Sequence, residues 1–306
     1  MYAISERLKQ PCPSIEQLDQ RQDFSHVLDY CSQIIELIIY GSNTPVKKSN
    51  IIPNKLPFEF SAFKSLEKLL LVETNYEMMY DLGNLRLTLK SFEIHNTELQ
   101  HLTQVLLCDQ LHKDIINNGT ITFKSMTNAN FSYNQLMDID QSIQLLPNLE
   151  SLNLENNKIK DVQFLTSLTK LKHLNLSANQ FMDIENLELK LCKIVSLDLS
   201  QNYLTSLKGF SKLYSLETLD VKSNRITDVT EVKHIAKLPC LENLILTGNP
   251  VSIVVDYRVK VLELFGNRAL EICLDNEKSN QKELDKVAIL QAIRLAKEGR
   301  VAKNAA

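Results

Sequence analysis

LESLNLENNKI, residues 149–159, recurs as LKHLNLSANQF at 171–181, IVSLDLSQNYL at 194–204, LETLDVKSNRI at 216–226 and LENLILTGNPV at 241–251. A weaker copy runs from Met126 to Leu136. In each copy L-x-L alternates apolar and polar residues, as a strand with one buried face requires, so Leu152 and Leu154 point inward while Ser151, Asn153 and Glu155 point outward. An asparagine closes each copy, at Asn134, Asn157, Asn179, Asn202, Asn224 and Asn249, in steps of 23, 22, 23, 22 and 25 residues. Where a chain leaves a strand through a buried corner, an asparagine satisfies backbone groups with both its carbonyl and its amide. These six are expected to form a ladder.

The pattern L-x-x-L-x-L-x-x-N-x-L at this period is the short class of leucine-rich repeat. The expected fold is an α/β leucine-rich-repeat solenoid, with a curved parallel sheet on the concave face, short helical turns and loops on the convex face, and a C-terminal cap. A second apolar set follows each corner, as in Val162, Leu165 and Leu168, or Val229, Val232, Ile235 and Leu238, and returns the chain to the next strand. Upstream the pattern degrades. Leu66, Leu69 and Leu71 precede Thr74; Leu89, Phe92 and Ile94 precede Thr97; Leu37 and Ile39 precede Ser42. Threonine thus replaces asparagine at two corners.

The expected organisation is an N-terminal flank at 1–30, a repeat domain at 31–276 and a helical tail at 277–306. The segment 42–65, with Pro45, Pro53 and Pro57, is irregular, and the 37-residue step from Thr97 to Asn134 places an insertion at about 101–123. The cap spans 254–276. There Val255, Val259 and Leu262 have helical spacing, Asp256 stands where it can cap the helix, and Leu270, Ile272 and Leu274 alternate as a short strand. Such an ending covers an apolar last repeat. In the tail, Leu284, Val287, Ala288, Leu295 and Ala296 fall on one side of a helix, which either packs on the cap or begins a linker.

Composition sets limits on function. Hydrophobic residues make up 44% and charged residues 23%, the range of a folded protein, and the net charge of -3 argues against nucleic acid as a partner. The start has no apolar run like a signal peptide, and no stretch reaches 18 consecutive apolar residues, so direct membrane insertion is not expected and a cytoplasmic location is. Six scattered cysteines without a C-x-x-C pair fit a reducing compartment. The sequons at Asn118, Asn130 and Asn175 are then chance matches. His95, His101, Cys108 and His112 are the metal-like residues, but only the last two have ligand spacing, so no metal is expected. Phosphate loops, nucleophile elbows and zinc-helix motifs are missing, so the expectation is a protein that is not an enzyme and takes no cofactor.

An extended concave strand face is what solenoids use for binding. The candidate partner-binding residues on it are Asn153, Lys172, His173, Asn175, Asp198, Glu217, Asp220, Lys222 and Asn243. Acidic side chains outnumber basic ones on this face as a whole, and Asp198 and Asp220 are neighbours one repeat apart. The expected ligand is a protein partner with a basic or polar segment.

Beyond the generic repeat, LPFEFSAFKSLEKL at 56–69 and the stretch 212–293, with LPCLE, NPVSIVVDYR and LFGNRA, resemble the leucine-rich-repeat region of nischarin, the imidazoline-receptor-related scaffold. The resemblance implies an endosome-associated cytosolic adaptor whose partners are an integrin cytoplasmic tail and Rac-pathway kinases, acting in cell migration. That family carries a phosphoinositide-binding PX domain ahead of its repeats, and no segment of this sequence resembles one. A rival reading is a phosphatase-regulatory leucine-rich-repeat subunit, a family with short repeats and a similar cap carrying the Tyr257-Arg258 pair.

Overall fold

Alternating apolar residues pair into strands in parallel, repeat after repeat, in the computed structural model, which describes residues 1–9, 25–107, 122–184, 187–191 and 193–304. The chain divides into two units, Met1–Leu171 and Lys172–Ala306.

In the first unit the strands are β1 (Glu36–Tyr40), β3 (Lys68–Val72), β5 (Ser91–His95), β6 (Asn128–Asn130) and β7 (Ser151–Asn153), hydrogen-bonded in that order, while β2 (Phe58–Glu59) and β4 (Met79–Tyr80) form a separate small parallel pair. The register carries the repeat into its degenerate copies: Leu37, Leu69 and Phe92 share one row, and Ile39, Leu71 and Ile94 the next. Leu69, Leu71, Phe92 and Ile94 are fully buried, but Leu37 and Ile39 on β1 are only half-buried. Phe92 and Phe131 meet edge to face at 5.8 Å, a favoured aromatic geometry. Helices α1 (Tyr2–Leu8) and α2 (Ser25–Gln33) precede the sheet. Within the expected insertion, residues Thr103–Leu106 form the short helix α3, with Val105 and Leu106 buried, so part of it is ordered helix rather than loop.

The second unit stacks β8 (His173–Asn175), β9 (Ser196–Asp198), β10 (Thr218–Asp220), β11 (Asn243–Ile245) and β12 (Cys273–Leu274) in parallel, with β13 (Glu277–Lys278) returning antiparallel on β12. Between strands the chain makes the short α4 (Leu187–Lys190) and 3-10 turns at Lys208–Phe210 and Val229–His234. Leu187, Phe210 and Val232 in these elements, with Ile235 and Leu238 just after the last of them, are buried. A family of left-handed turns explains how so short a repeat reverses. The residue before every corner, from Glu73 and Asn96 through Tyr133, Asn156, Ala178, Gln201 and Ser223 to Gly248, has positive φ.

The cap consists of α5 (Tyr257–Leu264), the 3-10 turn Gly266–Leu270, β12 and β13, followed by α6 (Gln281–Asn304) packed on α5. Three local expectations are corrected. Asp256 makes no capping hydrogen bond to α5; it sits in the left-handed region and receives the Lys286 ammonium at 3.1 Å. Leu270 belongs to a 3-10 turn rather than a strand and is 65% exposed, because Arg268 turns inward beside it. Over residues 281–296 of α6, whose side chains are described, only Val287 is buried, with Leu284 half-buried, whereas Ala288 and Leu295 face solvent.

Candidate partner-binding face

Every corner asparagine is buried, and its bonds explain the ladder. The Asn202 carbonyl accepts from the Phe181 N–H at 3.0 Å, while its amide donates to the Leu176 and Leu199 carbonyls at 3.0 and 3.1 Å. Asn224 takes the Leu204 N–H and gives to the Leu199 carbonyl; Asn249 takes the Ile226 N–H and gives to the Val221 carbonyl. In the first unit Asn157 binds Leu136 N–H and the Phe131 carbonyl, and Asn134 binds Thr97 N–H and the Ile94 carbonyl. The Asn179 amide donates to the Leu176 carbonyl at 3.1 Å. Asn134, Asn157, Asn202, Asn224 and Asn249 therefore each tie one repeat to the one before it, and these buried side chains are unavailable to a ligand.

The outward face is built from the polar residues of the strands. In the second unit the register sets Asn175, Asp198, Asp220 and Ile245 in one row, with His173, Ser196, Thr218, Asn243 and Cys273 in another. Lys172, His173, Glu217 and Lys222 are exposed, and the Asn243 amide donates to the Thr218 hydroxyl across the row. Asn153 lies on β7, in the first unit.

Four of the candidate side chains have a second role that their sequence pattern did not disclose. Asn153, Asn175, Asp198 and Asp220 each accept the N–H two residues on, from Glu155, Ser177, Ser200 and Lys222, at 2.8–2.9 Å. Asn130 does the same for Ser132. These are Asx turns that close the end of each strand. The aspartates nonetheless differ from the asparagines in charge. Half-burial pushes the Asp220 carboxyl above its usual range, and the nearby Asp198 and Asp275 carboxylates push it further, against the Lys222 N–H that holds the anion.

Asp275 is a contributor absent from the sequence reading. It follows β12 with positive φ, accepts the Leu246 and Thr247 N–H groups at 2.7 and 3.0 Å, and receives the Tyr257 hydroxyl at 3.0 Å. Burial, then the Asp275 charge, raise the Tyr257 phenol far above its ordinary value, so it stays a donor. Arg258 beside it donates to Glu283 at 2.7 Å and to the Leu274 carbonyl at 2.7 Å. Arg268 donates to the Leu238 and Leu241 carbonyls, stitching the cap to the preceding turn. The Tyr257-Arg258 pair is thereby explained as cap architecture.

Of the four metal-like residues, His95 and His101 lie among the described residues. His95 lies on β5, its Nδ1 against the Ser132 hydroxyl at 3.0 Å, and Cys108 and His112 lie outside the described residues. His101 instead stands 3.4 Å from Asp138, near Asp140. Both Asp140 oxygens already accept from Ser142 and from the Thr103 N–H, which is a turn-capping arrangement. Among the described residues, no helix is long and apolar enough to cross a membrane.

A parallel strand stack with an asparagine ladder and an open polar face defines a leucine-rich-repeat module of the protein-interaction class. The model of paired leucine-rich repeats matches residues 124–167, 147–189 and 192–234. Serine/threonine-protein kinase 11-interacting protein of Homo sapiens is 33% identical over 119 residues, covering 39% of this chain and 10% of that protein, so the match spans about a tenth of its length. A leucine-rich-repeat protein of Leptospira interrogans shares the fold, with a TM-score of 0.60 at 21% identity over 87% of this chain and 61% of that one. Internalin C2 of Listeria monocytogenes aligns at 24% identity over 63% of this chain and 72% of that chain, with a TM-score of 0.43.

Proposed function

We propose that this protein is a non-enzymatic scaffold that holds a basic or polar segment of a protein partner on the outward strand face of its second unit. One observation carries the reading. Asn130, Asn153 and Asn175 close their strand ends with uncharged amides, so the turn needs only an oxygen acceptor. That turn does not require carboxylates at the same position in β9 and β10, and burial, with the Asp198 carboxylate in adjacent register, disfavours ionisation of Asp220. A surface that carries an unfavourable charge pair where a neutral residue would serve has its charge for another purpose, and attraction of cationic side chains is that purpose.

The partner class is a signalling protein kinase. This rests on the kinase-interacting relative and on the nischarin-like segments at 56–69 and 212–293, which also make an integrin cytoplasmic tail, a role in cell migration and endosomal association part of the proposal. The phosphatase-regulatory alternative gains no support from the relatives.

The test is co-precipitation with purified serine/threonine kinases of the Rac and kinase-11 pathways, with integrin tail peptides and with a phosphatase catalytic subunit in parallel. Capture of a kinase or a tail, reduced about tenfold or more by Asp198→Lys with Asp220→Lys, is the expected result. Equal capture by the double variant excludes this face, and recovery of the phosphatase alone overturns the partner class.

A further inference from the structure

A groove of about 800 Å³ runs between the Val229–His234 turn, α5 and α6, entirely within the second unit and made of residues other than those of the strand face. Its apolar lining includes Leu264, Leu290 and Ile293, of which Leu290 and Ile293 are 37% and 47% exposed. Lys233, Lys237 and Lys260 stand along it, all exposed. Among the described residues no carboxylate lies within ion-pair distance of these three, whereas Arg294 and Glu263, also in the lining, neutralise each other at 3.0 Å. A chain with net charge -3 has thus gathered three lysines without ion-pair partners among the described residues around an apolar trough.

We infer that this groove docks an amphipathic helix of a partner protein, with apolar residues on one side and Asp or Glu flanking them. The walls supply what the helix-in-groove mode requires, namely a trough for side chains at helical spacing and a rim that fixes orientation by charge. Leucine-like side chains would cover the exposed parts of Leu290 and Ile293, and carboxylates would meet the three ammonium groups. An anionic membrane is the weaker match. Polybasic lipid sites usually gather about four to eight cations, and an apolar lining set between helices does not present itself to a flat surface.

The probe is a fluorescein-labelled, end-blocked peptide of about five helical turns, with leucines at i, i+3, i+4 and i+7, glutamates beside them and alanines behind. A twin peptide carries lysine for every glutamate, and vesicles of phosphatidylcholine and phosphatidylserine serve as the membrane arm. Anisotropy with the full chain is expected to show the glutamate peptide binding at least about tenfold more tightly than its twin, with affinity falling as salt rises. Lys233→Glu with Lys260→Glu should lose about tenfold or more for the glutamate peptide and gain for the lysine peptide. Ile293→Asp should weaken both, and the lysine variants decide the matter if that substitution lowers the melting temperature. Asp198→Lys with Asp220→Lys should leave peptide binding unchanged, which separates this groove from the strand face. Equal binding of the two peptides, no binding of either, an unaffected lysine double variant, or vesicle binding without peptide binding overturns the inference.

Discussion

At each corner, two adjacent residues divide the work of turning the chain. The first adopts positive φ and directs its N–H to the next repeat, as Ala178 does to the Ser200 carbonyl and Gln201 to the Lys222 carbonyl. The second is the ladder asparagine. Thr97 is too short to act as one, and at the preceding corner the Thr74 hydroxyl is the one buried side-chain polar atom without a partner among the described residues. Later asparagines reach back to the N–H two positions after the preceding corner, which for Thr74 is Tyr76. The polar cavity of about 610 Å³ beside Thr74, Asn75, Tyr76 and Thr97 has room for a longer side chain. Thr97→Asn is therefore expected to raise stability by about 1 kcal/mol, the usual net worth of an added buried hydrogen bond, measured as a higher urea midpoint at constant slope. A lower midpoint would mean that the Thr97 hydroxyl bond to Asn134 at 2.9 Å outweighs the restored ladder.

Among the elements, strands were legible and their ends were not. Period-two leucines located β7 to β11 because a buried strand face permits no other pattern, and the equivalence of Asp198 and Asp220 followed from the repeat itself. That Asn153, Asn175, Asp198 and Asp220 would bend back onto their own backbone depended on the turn conformation, which the repeat pattern does not encode. The cap was recognised as a helix, yet Asp256 and Leu270 were misplaced, because tertiary partners such as Lys286 and Arg268 outrank local propensity there. Asp220→Asn keeps the oxygen that accepts the Lys222 N–H while removing the charge. The folded-state pKa of Asp220 is raised, so its ionisation disfavours the native state once pH exceeds the ordinary value of 3.8, and costs nothing when both states are protonated. The variant should accordingly be more stable than the parent at neutral pH, with the difference closing as pH falls through the raised folded-state value toward 3.8. Denaturation midpoints across that range would show it, and a difference independent of pH would refute it. The same variant should bind a basic partner more weakly.

At the scale of the chain, the repeat imposes a nearest-neighbour economy of contacts. Strands of the second unit pair in the order β8, β9, β10, β11, β12, and Asn202, Asn224 and Asn249 each bond within their own repeat and to the one before it. The stability of such a stack is approximately a sum over repeats and their interfaces, so damage should stay near its origin. Asn202→Ala is the sharpest lesion available. It leaves the Phe181 N–H without its acceptor and the Leu176 and Leu199 carbonyls without one of their donors, inside a corner where Asn202 is only 4% exposed. The expected cost is about 3 kcal/mol, since removing one partner strands buried groups that water cannot reach. Amide exchange should then accelerate around Phe181 and along β9. Leu274 should be affected least, because the Tyr257–Asp275 and Arg258–Glu283 bonds hold the cap independently of that corner. Exchange accelerated equally from His173 to Leu274 would instead mean that the second unit opens as one cooperative block.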